Sequence, residues 1–180
     1  MDKIKFRLIE RNEIEKLRDI DRAELINQVY YYKNDKLSLV DEHHEISGWD
    51  PDNLENIITN LFALYDKNGT FQGAFDGDKL VGIFALDSEF IGKNKDILLL
   101  NFLHVDRTYR NKSIGKSLVE RAVKRAKDFG AKKLYISATP SKNTIDFYFH
   151  IGCKLTEELN NELYEEEPED INLQLDIVNF

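Results

Sequence analysis

Residues 109–117, YRNKSIGKS, lie between a predicted strand and a predicted helix. Ile97–Val105, ILLLNFLHV, is an almost continuous apolar run, which is typical of a central strand that is covered on both faces. From Ile114 onward, apolar residues recur at helical spacing as far as Gly130, which predicts an amphipathic helix. A loop that enters a helix in this way presents unpaired backbone N–H groups, to which a phosphate binds favourably.

The end of this stretch, GKS at residues 115–117, matches the end of a nucleotide-binding P-loop, GxxxxGK[ST]. The first glycine of that motif would fall at position 110, which is occupied by Arg110, and a Cβ there hinders the tight turn. Four residues, 106–109, separate the strand from the loop, and residues 134–138 contain no aspartate that would bind magnesium. These departures disfavour a nucleoside triphosphatase.

A second pattern fits the same stretch better. Residues 110–115, RNKSIG, match [QR]-x-x-G-x-[GA] at the first and last positions, with Ser113 in place of the middle glycine. Residues 143–153, NTIDFYFHIGC, resemble a short helix that reads N…FYxxxGF. With these two segments the sequence resembles the GNAT N-acetyltransferases, most specifically over residues 97–155, and the first motif resembles the pyrophosphate loop of that family.

The whole chain, residues 1–180, predicts one α/β domain. The resemblance implies the GNAT acyltransferase fold, a mixed, mostly antiparallel sheet with splayed central strands and helices on both faces, with the cofactor half at about residues 97–156. The patterns predict strands at residues 3–9, 70–75, 79–90, 97–105, 133–138, 153–156 and 172–178, helices at 10–25, 51–67, 114–129 and 141–151, and an added hairpin at 29–46.

Composition and charge argue against several classes of function. The net charge of -8 disfavours non-specific nucleic-acid binding, and the longest apolar run is too short to span a membrane. The single cysteine, Cys153, excludes an internal disulfide, and the first residues lack an apolar signal core, so we expect a cytoplasmic protein. Beyond Lys154 there is no Lys or Arg, and we interpret the acidic residues that follow as a solvated surface.

The resemblance implies that acetyl-CoA is the co-substrate, without a metal ion. Its pantetheine arm would pair with the end of the splayed strand, residues 102–105, and its pyrophosphate would lie on the N–H groups of residues 110–116. The residues expected to bind it are Leu103, His104, Val105, Arg110, Asn111, Lys112, Ser113, Ile114, Gly115, Lys116, Asn143 and Tyr148. Arg107 adds to a cationic cluster suited to phosphates. Ser141 could contact the pantetheine in place of Asn143, but helix capping is the role expected for it.

The resemblance also implies catalytic roles. Tyr148 lies four residues before Gly152, where relatives carry the tyrosine that protonates the departing CoA thiolate. Some relatives place a glutamate on the central strand as general base, but residues 98–101 contain no carboxylate. Asn101 could order a water molecule, Glu89 and His104 are candidates for the base, and loss of the proton through a chain of waters is an equal alternative.

We therefore expect an N-acetyltransferase in which a primary amine directly attacks acetyl-CoA within a ternary complex. The acceptor, a small molecule or a peptide, would bind near the first helices and residues 30–32. Asp41, Glu42 and Glu45 would favour a cationic amine there, although an ordinary charged surface explains them equally well. The alternative is a catalytically inactive CoA-binding sensor or interaction module, which the departures at Ser113 and Asn101 motivate. A homodimer is left open.

Overall fold

The computed structural model of the protein describes residues 4–180, and the part of the first predicted strand at Lys3 lies outside them. The elements are β1 (Lys5–Leu8), a 3-10 helix (Arg11–Asp19), β2 (Glu24–Lys33), β3 (Lys36–Ile46), α1 (Pro51–Asp66), β4 (Thr70–Asp76), β5 (Lys79–Ile91), β6 (Ile97–Val105), a 3-10 turn (Arg107–Tyr109), α2 (Ile114–Asp128), β7 (Lys133–Ala138), α3 (Lys142–Ile151), β8 (Lys154–Leu155), α4 (Asn161–Glu166) and β9 (Ile171–Asp176). None of the helices in this part of the chain is long and apolar enough to cross a membrane.

Seven strands form one sheet in the order β1-β4-β5-β6-β7-β9-β8, and β2 and β3 form a separate hairpin. Only β6 and β7 run parallel among the paired strands of the described chain, so the sheet is mixed and mostly antiparallel, as predicted. One face of the sheet packs against α2 and α3. The other face packs against α1 and the first 3-10 helix. The sheet is therefore covered by helices on both faces.

The first predicted helix is wrong in type and length. Residues 11–19 form a 3-10 helix, and the chain is already extended at Glu24, where the hairpin begins. The buried residues Ile14, Leu17 and Ile20 recur every three positions, which is the period of a 3-10 helix. The hairpin begins five residues earlier than predicted, at Glu24, because Glu24 pairs with Ile46 at the far end of β3.

Most of the acidic residues after Lys154 are exposed, as predicted for a solvated surface, but the segment also contains a helix that was not predicted. This helix is α4, whose start is capped by the Asn160 side chain, which accepts a hydrogen bond from the Leu163 backbone N–H. Leu163 packs against the cluster formed by Ile97, Leu99 and Tyr135. This one apolar contact and its cap hold a short helix within an otherwise charged stretch.

A bulge at Asn101 reverses the two faces of β6. Leu100 pairs with Leu86 and Phe102 pairs with Ala85, so that Asn101 has no partner on β5. Before the bulge, Leu100 packs on the α2 and α3 side, whereas after it Phe102 packs on the α1 side. One extra residue in a strand exchanges the faces because the side-chain period of a strand is two.

The parallel strands β6 and β7 separate after three residue pairs. Their pairing runs from Ile97 with Lys133 to Leu99 with Tyr135, although β6 continues to Val105 and β7 to Ala138. The prediction that β6 is covered on both faces therefore holds only for its first four residues. Residues 101–105 are exposed or half-buried because the neighbouring strand has diverged and left one edge of β6 unpaired.

Candidate active site

The loop that follows β6 is organised by a buried carboxylate that sequence reasoning missed. Asp106 is fully buried and accepts hydrogen bonds from Thr108 N–H at 2.9 Å, Lys79 Nζ at 2.9 Å and Asp21 N–H at 3.1 Å. Burial opposes ionisation, but these donors, with the Thr108 hydroxyl, lower the pKa of Asp106 to about 2. The carboxylate thus ties the loop to the β4–β5 turn and to the segment before β2.

Two residues of the loop adopt the left-handed conformation. Asn111 and Ser113 both have a φ of 60°, and Ser113 is the N-cap of α2 without a side-chain capping bond. The glycine that the motif usually has at this position is explained by its backbone, because residues with a Cβ adopt positive φ at a cost. Serine is accommodated here in the same conformation, so the loop keeps its shape.

The loop presents a row of free backbone donors. The N–H groups of residues 111–113 donate no hydrogen bond to any group in the described part of the chain. Those of residues 114–116 lie in the first turn of α2, where the helix offers no acceptor. Together with the dipole of α2, they form a site that favours an anion.

The predicted cationic cluster is more dispersed than the sequence suggested. The Arg110 guanidinium donates to the backbone carbonyls of Val105, Ala23 and Arg22 at 3.3 to 3.4 Å. The backbone N–H of Arg110 donates to the carbonyl of Arg107. Lys112 Nζ donates to the Thr108 carbonyl at 2.8 Å. Arg110 therefore fastens the loop to β6 and to the start of β2, and its N–H is not available to a ligand.

A cavity of about 810 Å³ lies between the loop, the open half of β6 and α3. Its walls include every residue predicted to bind the cofactor except Lys112. Sequence reasoning missed the other residues of its lining, namely Glu24, Tyr109, Thr144, Asp146, Phe147, His150 and Ile151. Glu24 could not have been found from the motifs, because it begins β2, far in sequence from the loop and from α3.

Helix α3 brings Tyr148 to the cavity wall. Ser141 caps the helix, its hydroxyl accepting a hydrogen bond from Thr144 N–H, so its expected role is confirmed. Tyr148 is only 6% exposed, and burial, followed by the neighbouring Cys153 and Asp170, raises its pKa above the ordinary value. Its hydroxyl therefore stays protonated at neutral pH.

Gly115 allows α2 and α3 to approach each other. A Cβ at this position would lie 3.1 Å from the Phe147 ring, closer than an ordinary van der Waals contact. The glycine at the end of the loop motif is therefore needed for packing against the cavity wall that carries Phe147 and Tyr148.

His104 lies on the α1 side of the open half of β6, in an aromatic cluster. Its ring stacks on Phe102 at a centroid distance of 5.4 Å and packs on Trp49 at 4.9 Å. Burial, and then the positive charges of Arg22 and Arg110, lower the pKa of His104 to about 4. The imidazole is therefore neutral at physiological pH.

The other two predicted catalytic residues lie outside the walls of this cavity. Asn101 is exposed and is the unpaired residue of the bulge. Glu89 is exposed in the last part of β5, next to Phe90, which pairs with Leu98 at the closed end of β6. The structure brings Tyr148 and His104 to the cavity but brings neither Asn101 nor Glu89 to it.

The hairpin β2–β3 packs against α3. Tyr30 donates its hydroxyl proton to Asp146 at 2.9 Å and its N–H to Pro140 O at 2.8 Å. Asp41 and Glu42, expected to favour a cationic acceptor, instead accept hydrogen bonds from hairpin side chains, including Tyr31. Both carboxylates are therefore engaged within the hairpin itself.

Comparison with known proteins agrees with this geometry. The model of the acetyltransferase (GNAT) family matches residues 27–152. An uncharacterized N-acetyltransferase of Schizosaccharomyces pombe is 32% identical over 91 residues, which cover 51% of this chain and 62% of the relative. The match therefore spans less than two thirds of that curated relative.

Solved structures share the fold at low sequence identity. A nourseothricin acetyltransferase has a TM-score of 0.70 at 17% identity, over 97% of this chain and 98% of the other. A Bacillus anthracis protein assigned as a streptothricin acetyltransferase, in complex with acetyl-CoA, has the same TM-score and coverage at 16% identity. PaiA N-acetyltransferase of Thermoplasma acidophilum, in complex with CoA, has a TM-score of 0.61 at 19% identity, over 97% and 99% of the chains.

These findings define a class of protein, an α/β acyltransferase fold with a splayed central strand pair and a loop of free backbone N–H donors. The chain belongs to the GNAT acetyltransferase family, as the sequence motifs predicted.

Proposed function

We propose that the protein is an N-acetyltransferase that transfers an acetyl group from acetyl-CoA to a primary amine. The observation that carries this proposal is the opening between β6 and β7, which begins after Leu99 and leads directly to the free donors of the loop. Relatives of the same fold bind acetyl-CoA or CoA, which supports the choice of co-substrate.

The chain's residues fit this co-substrate. The free edge of residues 102–105 offers backbone donors and acceptors to the two amides of the pantetheine arm, in the manner of an added strand. The donors of residues 111–116 and the exposed Lys116 suit the pyrophosphate. Asn143 lies in the cavity wall and donates a hydrogen bond to Glu24 at 3.4 Å, so it reaches the opposite wall of the site.

Tyr148 is the proposed general acid. The amine nitrogen attacks the thioester carbonyl, the C–S bond breaks, and the departing sulfur receives the proton of the Tyr148 hydroxyl. The raised pKa keeps that proton in place until negative charge develops on the sulfur. The backbone N–H groups of the open half of β6 are the proposed donors to the oxyanion of the tetrahedral intermediate.

The proton of the attacking amine is proposed to leave through water. His104 has a pKa of about 4 and holds a proton poorly at neutral pH, so it serves as a hydrogen-bond acceptor. Glu89 and Asn101 lie outside the cavity walls. Glu89→Gln is therefore expected to leave kcat unchanged, and a large fall in kcat would instead identify Glu89 as the base.

One alternative deserves a direct test, namely a CoA-binding module without catalysis. The observation in its favour is that no carboxylate in the 98–101 stretch of β6 is available as base. A thermal-shift scan should show stabilisation by CoA and acetyl-CoA but not by ATP with magnesium. Release of free thiol in the presence of an amine panel then indicates an enzyme. Stabilisation without thiol release from any amine would favour the module.

A further inference from the structure

Arg22 is half-buried and forms no ion pair with any carboxylate of residues 4–180. It lies between the first 3-10 helix and β2, and its guanidinium carbon is 4.9 Å from the centre of the Trp49 ring. Within residues 4–180, no carboxylate lies within 4.0 Å of this guanidinium and no acceptor is hydrogen-bonded to it. Arg110, in contrast, donates to three carbonyls and lies 3.7 Å from Glu24. A guanidinium carries five donors, and none of those of Arg22 is used by an acceptor within the described residues, although the chain has a net charge of -8.

Arg22 lies beside the open half of β6. Its own backbone carbonyl accepts a hydrogen bond from Arg110, and the Trp49 ring on which it stacks also packs on His104. His104 belongs to the wall of the cavity. Phe102 and His104 occupy the α1 face of β6, whereas Leu103 and Val105 pack on the α2 face. Arg22 therefore adjoins the splayed strand from the face opposite to α2 and α3.

The proposed function suggests that the acceptor binds on the α1 face of β6. If acetyl-CoA lies against the loop, α2 and α3, the acceptor has to approach the thioester from the α1 side of β6. On that side it meets the aromatic rings of Trp49, Phe102 and His104 and the free guanidinium. The hairpin contributes one carboxylate to the cavity wall, that of Glu24. This carboxylate already lies near Arg110 and Asn143.

We propose that Arg22 binds a carboxylate of the acceptor, so that the acceptor is an amino acid or a closely related amine that carries a carboxylate. The inference rests on the proposed function. A planar guanidinium forms two parallel hydrogen bonds with a carboxylate, a geometry that an ammonium group does not offer.

The binding test does not depend on turnover. The protein is saturated with CoA, and calorimetry compares N-acetyl amino acids with their primary amides, which differ only in the carboxylate; the panel contains the phenylalanine, leucine, lysine and glutamate derivatives. At least one acid is expected to bind about tenfold more tightly than its amide. Arg22→Met should remove that preference and leave the amide affinity unchanged, whereas Arg22→Lys should retain part of it.

Arg18→Met is the matched control, because Arg18 is exposed on the neighbouring 3-10 helix and pairs with Glu15 and Glu55. It should leave the acid-to-amide ratio unchanged. Equal affinities for acid and amide throughout the panel, failure of every acid to bind, or an unchanged ratio in Arg22→Met would each overturn the inference. Failure of CoA itself to stabilise the protein would instead count against the proposed function, so the two failures are distinguishable.

A kinetic test complements it. Each free amino acid is compared with its decarboxylated amine, for example phenylalanine with phenethylamine and lysine with cadaverine. If the amino acids are the substrates, Arg22→Met should raise their KM about tenfold with little change in kcat, and the decarboxylated amines should not respond. A higher kcat/KM for the decarboxylated amines that persists in Arg22→Met would contradict the proposal.

Discussion

The two halves of β6 differ although they belong to one strand. Residues 97–100 are buried, and Ile97 and Leu98 pair with both β5 and β7, whereas residues 101–105 are exposed or half-buried and only residues 102–105 pair, with β5 alone. The change occurs at Asn101, where one extra residue exchanges the faces of the strand. The comparison shows that one strand contains a part that stabilises the sheet and, after the bulge, a part whose free edge can receive a ligand.

The largest expected effect is a loss of stability on substitution in the buried half of β6. Leu98 is fully buried, so Leu98→Ala should lower the free energy of unfolding by about 2–5 kcal/mol, from lost apolar transfer and the cavity left behind. Leu103 is half-buried in the open half, and Leu103→Ala should cost much less stability while weakening CoA binding. Urea titration and calorimetry measure the two quantities. Equal losses of stability would contradict the division of the strand.

The next effect concerns chemistry at the opening. Tyr148→Phe removes the proposed acid without changing the shape of α3, so kcat should fall about 100-fold with little effect on the Kd for CoA. Steady-state kinetics of thiol release and a CoA titration test this together. An unchanged kcat would remove Tyr148 from the mechanism, and the neighbouring Phe147→Leu serves as a control for packing.

A smaller effect concerns the pH dependence of stability that Asp106, which follows the open half of β6, produces. Because the pKa of Asp106 falls from 3.8 to about 2 on folding, its ionised form contributes roughly 2 kcal/mol of stability. That contribution is fully present above about pH 4 and is lost as the pH falls towards 2. The difference in unfolding free energy between the wild type and Asp106→Asn should therefore shrink over this range. Urea titration of the two proteins across this pH range measures the difference.

The smallest effect is expected from a substitution in the loop that follows β6. Ser113 has a φ of 60°, and glycine adopts this conformation at less cost, so Ser113→Gly should raise stability by about 1 kcal/mol. CoA binding should tighten as well, since the backbone can approach the pyrophosphate more closely. Asn111→Gly is the matched control, because Asn tolerates positive φ better and the gain should be smaller. Clear weakening of CoA binding by Ser113→Gly would show that the serine hydroxyl contacts the ligand.

Much of the fold followed from local patterns. The bounds of β6 and β7 were predicted correctly, because apolar runs and their flanking turns are determined by neighbouring residues. The first 3-10 helix was mistaken for an α-helix because Ile14, Leu17 and the C-cap residue Ile20 are all buried and fit either period in so short a segment. Helix α4 was missed because its stability depends on a contact between Leu163 and residues of β6 and β7, which are distant in sequence.

The sequence by itself determined the family, the loop motif and the choice of Tyr148 as the candidate acid, because these depend on residue types at short, regular spacings. The tertiary structure alone decided that β6 and β7 separate after Leu99, that Asp106 is buried and ionised, and that no carboxylate of residues 4–180 pairs with Arg22. The physical reason is that strand separation, desolvation and ion pairing depend on which distant segments come into contact. The spacing of residues along one strand or loop carries no information about those contacts.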